Sequence, residues 1–163
     1  MIESESIMKA FKVPQLFSKD ENFFSTNDQE VGIKFYNHSE NVFKVNVLLD
    51  QNLFVFVLEG EKVLYHATKK FALKAFEGAF LRKGNYLMSE HAGPKKHYKA
   101  ILFFFDGRVA FRHSSSKGGT RAKKASLLKL KSNPLLKGFL NSLEHYPGTI
   151  HKKTMSKTDT IHF

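Results

Sequence analysis

Apolar and polar residues alternate through the middle of this 163-residue chain. VGIKFYN (31–37), FKVNVLL (43–49) and LFVFVL (53–58) are alternating or wholly apolar, with turn residues between them, which is the pattern of strands. Glu59-Gly60 predicts a tight hairpin turn, and KVLYHA (62–67) the partner strand returning from it. KFALKAF (70–76) places Phe71, Leu73 and Ala75 on one face. FEGAFLRKGNYLMSE (76–90) holds a short strand, AFL (79–81), between Gly78 and Gly84, and a second one, YLMSE (86–90). The two glycines have a geometric task, because short strands that turn sharply need residues without a Cβ at their corners. HYKAILFFF (97–105) alternates at first and then becomes fully apolar, as a strand covered on both faces does. Strands of this length and spacing, with no helix between them, predict an antiparallel sandwich or barrel; parallel α/β folds need crossover helices that do not fit.

After Asp106-Gly107 the pattern breaks. SSSKGGTRAKK (114–124) reads as an exposed loop and LLKLK (127–131) as one more short strand. NPLLKGFLNSLEHY (133–146) is the best helix in the chain. Asn133 can cap it, Pro134 suits its first turn and Pro147-Gly148 ends it. Leu136, Phe139, Leu140 and Leu143 recur at i, i+3, i+4 and i+7 and form one stripe. Leu135 lies about 100° off that stripe. The organisation predicted is an irregular N-terminal arm over 1–30 with an early strand near Phe11–Val13, a β-barrel over 31–106, a loop and helical region over 107–146, and a tail over 147–163.

Composition narrows the function. The chain has 17 Phe, 5 Tyr, no Trp and no Cys. Without cysteine there is no disulfide, thiol catalysis or thiolate metal site, which fits a reducing cytoplasm. The N-terminus carries early Glu residues and no long apolar run, so it does not read as a secretory signal, and no segment reaches the length of a membrane span. The formal net charge is +11, spread over pairs such as Lys69-Lys70, Arg82-Lys83 and Lys95-Lys96 at turns between apolar runs. Solvated loop lysines account for most of it. One cluster is denser: Lys117, Arg121, Lys123, Lys124, Lys129 and Lys131 can neutralise several phosphates, but no recognition motif accompanies them.

Catalytic chemistry finds little support. Ser114, Ser115 and Ser116 sit beside His113 in a polar loop, without a nucleophile elbow. Lys117-Gly118-Gly119-Thr120 lacks the phosphate-loop spacing. No cofactor is expected. A barrel of this size either fills its interior or holds one small ligand. Phe54, Phe56, Phe103 and Phe105 are the candidate interior residues, and His66 and Tyr86 the polar groups expected to point inward.

The run from Phe54 to Asp106, with "VLEGE", "FEGAFLRKGNYLMSE" and "ILFFFD", resembles the N-terminal regulatory domain of AraC-type bacterial transcription regulators. It is most similar to the subfamily of type III secretion activators, and "SNPLLKGFLNSL" resembles the helix that follows the barrel there. The resemblance covers about residues 33–145. It implies a mainly β fold, an antiparallel double-stranded β-helix of cupin type, followed by a C-terminal α-helical region. It further implies a homodimer and a small-molecule or protein effector rather than chemistry. The contact expected is the helix's apolar set, Leu135, Leu136, Phe139, Leu140 and Leu143, because a single stripe packed on its own barrel leaves Leu135 for a partner helix to cover, the alternative being a helix packed wholly within its own chain. Such regulators bind DNA through two helix-turn-helix units, and residues 147–163 are too few to form them. The stretch 108–126 departs from the family in lacking a clear amphipathic helix.

Two other classes stand against this reading. One is a metal-dependent cupin enzyme. Its ligands would resemble a His-x-His pair with a Glu and a later His, yet no two of the eight histidines here are separated by one residue. His66, His91 and His97 would have to meet through folding, and no metal site is expected. The other is a stand-alone basic nucleic-acid-binding protein built on the cluster after Lys117.

Overall fold

A computed structural model describes residues 10–109 and 127–145. Eleven strands are present among them: β1 (Phe11–Val13), β2 (Phe23–Ser25), β3 (Val31–His38), β4 (Val42–Leu49), β5 (Asn52–Glu59), β6 (Glu61–His66), β7 (Lys69–Leu73), β8 (Gly78–Leu81), β9 (Gly84–His91), β10 (Tyr98–Phe105) and β11 (Leu127–Leu130). One helix, α1 (Pro134–Glu144), follows β11, and a single 3-10 turn (Gln15–Phe17) follows β1.

The strands form two sheets, in the orders β1-β4-β9-β6-β7 and β11-β8-β5-β10-β3-β2. Strands β3 to β10 supply four neighbours to each sheet, β4-β9-β6-β7 and β8-β5-β10-β3, which is the jelly-roll order of a double-stranded β-helix. All pairings are antiparallel except β1 with β4.

The Glu59-Gly60 turn is not a hairpin. β5 pairs with β10 and β8, whereas β6 pairs with β9 and β7, so the chain changes sheets at Gly60. Gly60 has φ +90°, and a Cβ there would lie 2.5 Å from the carbonyl oxygen of His91. Only glycine fits such a corner. Gly78 answers to a different constraint: a Cβ on it would meet the Phe56 ring at 2.5 Å. The strand expected over 70–76 ends at Leu73, and Ala75 lies exposed in the following turn.

The polar N-terminal segment is less irregular than its composition implies. Phe11–Val13 joins the sheet edge beside β4, and β2 pairs with β3. Val13 and Phe17 are buried in the barrel core. The Phe17 ring packs at 5.9 Å from Tyr36 and 6.2 Å from Phe104, contacts to residues far along the chain.

Two apolar clusters share the six-stranded sheet. Inside the barrel, Leu53, Val55 and Val57 of β5 and Tyr98, Ala100, Leu102 and Phe104 of β10 face the other sheet. On the outside, Phe54, Phe56, Ile101 and Phe103 pack with Leu136, Leu140 and Leu143 of α1. The fully apolar second half of β10 is therefore covered on both faces. Asn133 caps α1, its Oδ1 accepting from the Leu136 N–H at 2.8 Å. Leu140 is fully buried, while Leu135 is 85% and Phe139 51% exposed.

Candidate functional site

The barrel interior is not completely filled. A chamber of about 270 Å³ lies between the sheets. Its walls are Val42, Val45, Val47 and Leu49 of β4, Leu53 of β5, Met88 of β9, and Leu102 and Phe104 of β10. Val13 and Phe17 close it from the N-terminal segment, and the exposed Phe11 and Leu16 form a rim. Concave, mainly apolar chambers with few polar groups are what small-molecule sites look like. A larger depression, about 440 Å³, lies beside the 3-10 turn, but exposed residues such as Gln15, Gln29 and Asp50 line it.

Polar groups gather at one end of the chamber. Lys62 and Glu90 are directly opposite each other in the β6–β9 pairing, and both point inward. Lys62 Nζ donates to Glu90 Oε2 at 2.8 Å. The Tyr36 hydroxyl donates to Glu90 Oε1 at 3.1 Å, and His38 Nε2 lies 3.0 Å from the same oxygen. Lys62 and Glu90 are 3% and 6% exposed, so neither charge is shared with bulk water. Burial by itself would raise the Glu90 carboxyl, but the adjacent Lys62 charge and the contacts to Lys62 and His38 outweigh it and hold it below the usual range. Burial, reinforced by the negative Glu90, pushes the Tyr36 phenol far above its ordinary value. The same two causes raise Tyr98, which stacks on His38 at 5.0 Å.

The residues proposed from sequence lie elsewhere. Phe54, Phe56, Phe103 and Phe105 are on the outer face of the six-stranded sheet; Phe54 stacks on Phe105 at 5.4 Å, and Phe56 meets Phe103 at 5.9 Å. They belong to the helix side and none lines the chamber. Tyr86 does point into the barrel, where its hydroxyl donates to the Arg82 carbonyl at 2.6 Å, but it lies off the chamber wall. His66 ends β6, its ring 6.1 Å from that of Tyr86. The signal that was missed is phase. Glu90 keeps step with the inward Tyr86 and Met88, and Lys62 with Leu64, so each is a charge at a core position of an alternating strand.

Among the described residues no group of three or more His, Cys, Asp or Glu side chains is arranged to hold a metal. His91 packs edge-on against Phe43 at 5.5 Å, away from His66. Of the basic cluster, Lys117, Arg121, Lys123 and Lys124 lie outside the described residues, as do His113 and Ser114–Ser116. Lys129 is paired with Glu77 at 3.4 Å. No helix among the described residues is long and apolar enough to cross a membrane.

The model of the family described as the ExsA N-terminal regulatory domain matches residues 52–157. No curated protein sequence matches the chain. Among solved structures, apo ToxT of Vibrio cholerae is similar with a TM-score of 0.58 at 10% identity, over 85% of this chain and 53% of that one. ToxT bound to a methylnaphthalenyl butenoic acid gives 0.55 at 10% identity, over 78% and 51%. ToxT bound to an unsaturated fatty acid gives 0.51 at 13% identity, over 76% and 46%. The chain thus spans about half the length of these proteins, and the likeness is one of fold.

Proposed function

Since the chain belongs to the family of ExsA N-terminal regulatory domains, and is the regulatory domain of an AraC-type transcription regulator, we propose that it senses a small, mainly apolar molecule inside its barrel. The observation that carries this reading is the chamber of about 270 Å³ walled by core residues of both sheets. Its wall is apolar apart from Tyr36, Lys62 and Glu90, and an apolar concavity with a few convergent polar groups is the make-up of a small-molecule site. The ligands in the ToxT structures, an unsaturated fatty acid and an aromatic butenoic acid, are acids with largely apolar bodies, and it is the apolar body, not the acid group, that supports the reading here.

The domain reads its ligand without chemistry. The one carboxylate at the chamber, Glu90, is held by Lys62, His38 and Tyr36 and kept ionised, a structural rather than a catalytic arrangement. It works as a homodimer, through the outward side of α1. Leu135 and Phe139 are exposed there, whereas Leu136, Leu140 and Leu143 hold the helix to its own barrel. DNA is reached through a helix-turn-helix unit, which none of the described residues forms, and the absence of cysteine supports a cytoplasmic setting.

The test is thermal unfolding of the purified chain against a panel of soluble apolar molecules of the chamber's size. A ligand at one hundred times its Kd stabilises by about 2.7 kcal/mol, so some members are expected to raise Tm. Leu102→Trp, which fills the chamber, abolishes the effect. A panel that leaves Tm unmoved overturns the reading.

A further inference from the structure

The only lysine on the chamber wall among the described residues is already neutralised. Lys62 and Glu90 face each other across β6 and β9, 2.8 Å apart and almost wholly buried, so together they bring no net charge to the cavity. Both Glu90 oxygens are engaged, one by Lys62 and the other by Tyr36 and His38. A ligand carboxylate entering here would meet Glu90 at close range. To gain Lys62 it would have to strip that buried carboxylate of its cation, and a buried charge left without its partner is strongly unfavourable. A neutral acceptor meets no such opposition. An ammonium has three N–H donors, so Lys62 can keep Glu90 and still donate to an amide, alcohol or ester oxygen.

We propose that the barrel cavity is selective for neutral amphiphiles, an apolar body ending in a hydrogen-bond acceptor placed at Lys62, and that the Lys62–Glu90 pair rejects carboxylates. This rests on the reading of the chamber as a ligand site. Glu90 thereby becomes a specificity-determining residue, although it offers a neutral ligand no bond of its own.

Octanamide and octanoate, which have the same shape and differ in charge, test the proposal. The methyl carbon of Met88, on the chamber wall, reports binding by NMR in labelled protein. In the wild type octanamide is expected to shift the Met88 signal with a Kd about tenfold or more below that of octanoate. Glu90→Gln, which leaves Lys62 without its counter-charge, is expected to bring octanoate level with octanamide or ahead of it. Octanoate binding as tightly as octanamide in the wild type overturns the selectivity while leaving the chamber a ligand site. A Met88 signal that neither probe moves removes the ligand site itself, and the selectivity with it. If Glu90→Gln does not fold, the wild-type comparison decides alone.

Discussion

Glu90 is the residue on which the barrel interior turns. Its carboxylate is buried and holds three donors, Lys62, His38 and Tyr36. Removing one member of such a pair leaves the other charge stranded, so Glu90→Ala should destabilise by about 3–5 kcal/mol in urea unfolding. Replacing both together, Lys62→Met with Glu90→Leu, should recover most of that loss, because no unpaired charge remains. The pH dependence follows from the same group. Its folded pKa lies below the ordinary value of 4.5, so the unfolded chain takes up the proton first. The stability it contributes is complete above pH 4.5 and is lost as pH falls through the lower folded value. Thermal melts across that acidic window should show a shallower fall in the double variant than in the wild type.

At the scale of elements, corners and caps rather than strand interiors carry the sharpest constraints. Gly60 moves the chain from one sheet to the other with φ +90°, against the His91 carbonyl. Gly60→Ala adds both backbone strain and a contact of 2.5 Å, and should cost at least about 1–3 kcal/mol. Gly138, in the exposed face of α1, has no atom within 4 Å of an added Cβ. Gly138→Ala should therefore stabilise by about 0.5–1 kcal/mol through helix propensity alone. Chemical denaturation of the two variants side by side checks the contrast; equal effects would mean that the Gly60 corner yields to accommodate the methyl.

The whole molecule places a cavity and a helix on opposite faces of one sheet. β5 and β10 send Leu53, Leu102 and Phe104 into the chamber and Phe54, Phe56, Ile101 and Phe103 under α1. A ligand that moves the inner row has a short mechanical path to the helix, through two strands and one layer of phenylalanines. The proposed pairing of two copies through Leu135 and Phe139 can be separated from the helix's own packing. Leu135→Glu with Phe139→Glu should abolish dimerisation in sedimentation while changing stability by no more than about 0.5 kcal/mol per site. Leu140→Ala, which empties a fully buried position, should cost about 2–5 kcal/mol. A wild type that stays monomeric at high micromolar concentration removes the dimer.

What could be read from the sequence was local. The helix over 134–144 needed only a cap, a proline and apolar residues at three- and four-residue spacing, all within a few turns. Strand positions followed from alternation, and the family from a few short stretches between Phe54 and Asp106. Alternation says which residues share a face, but not which face is inside. β5 and β10 are apolar on both faces, so only the jelly-roll order showed that Leu53, Leu102 and Phe104 line the chamber while the phenylalanines beside them lie under α1. A turn of the Glu-Gly kind serves a hairpin or a sheet crossing equally, and Gly60 was assigned by the pairing of its flanking strands. β1 gains its place from a parallel partner 36 positions along the chain, by the Phe11–Val47 register. Lys62 and Glu90 likewise meet only because β6 and β9 pair in one register. Contacts within an element are set by the geometry of a few bonds, whereas contacts between elements depend on the whole chain closing on itself, and the site belongs to the second kind.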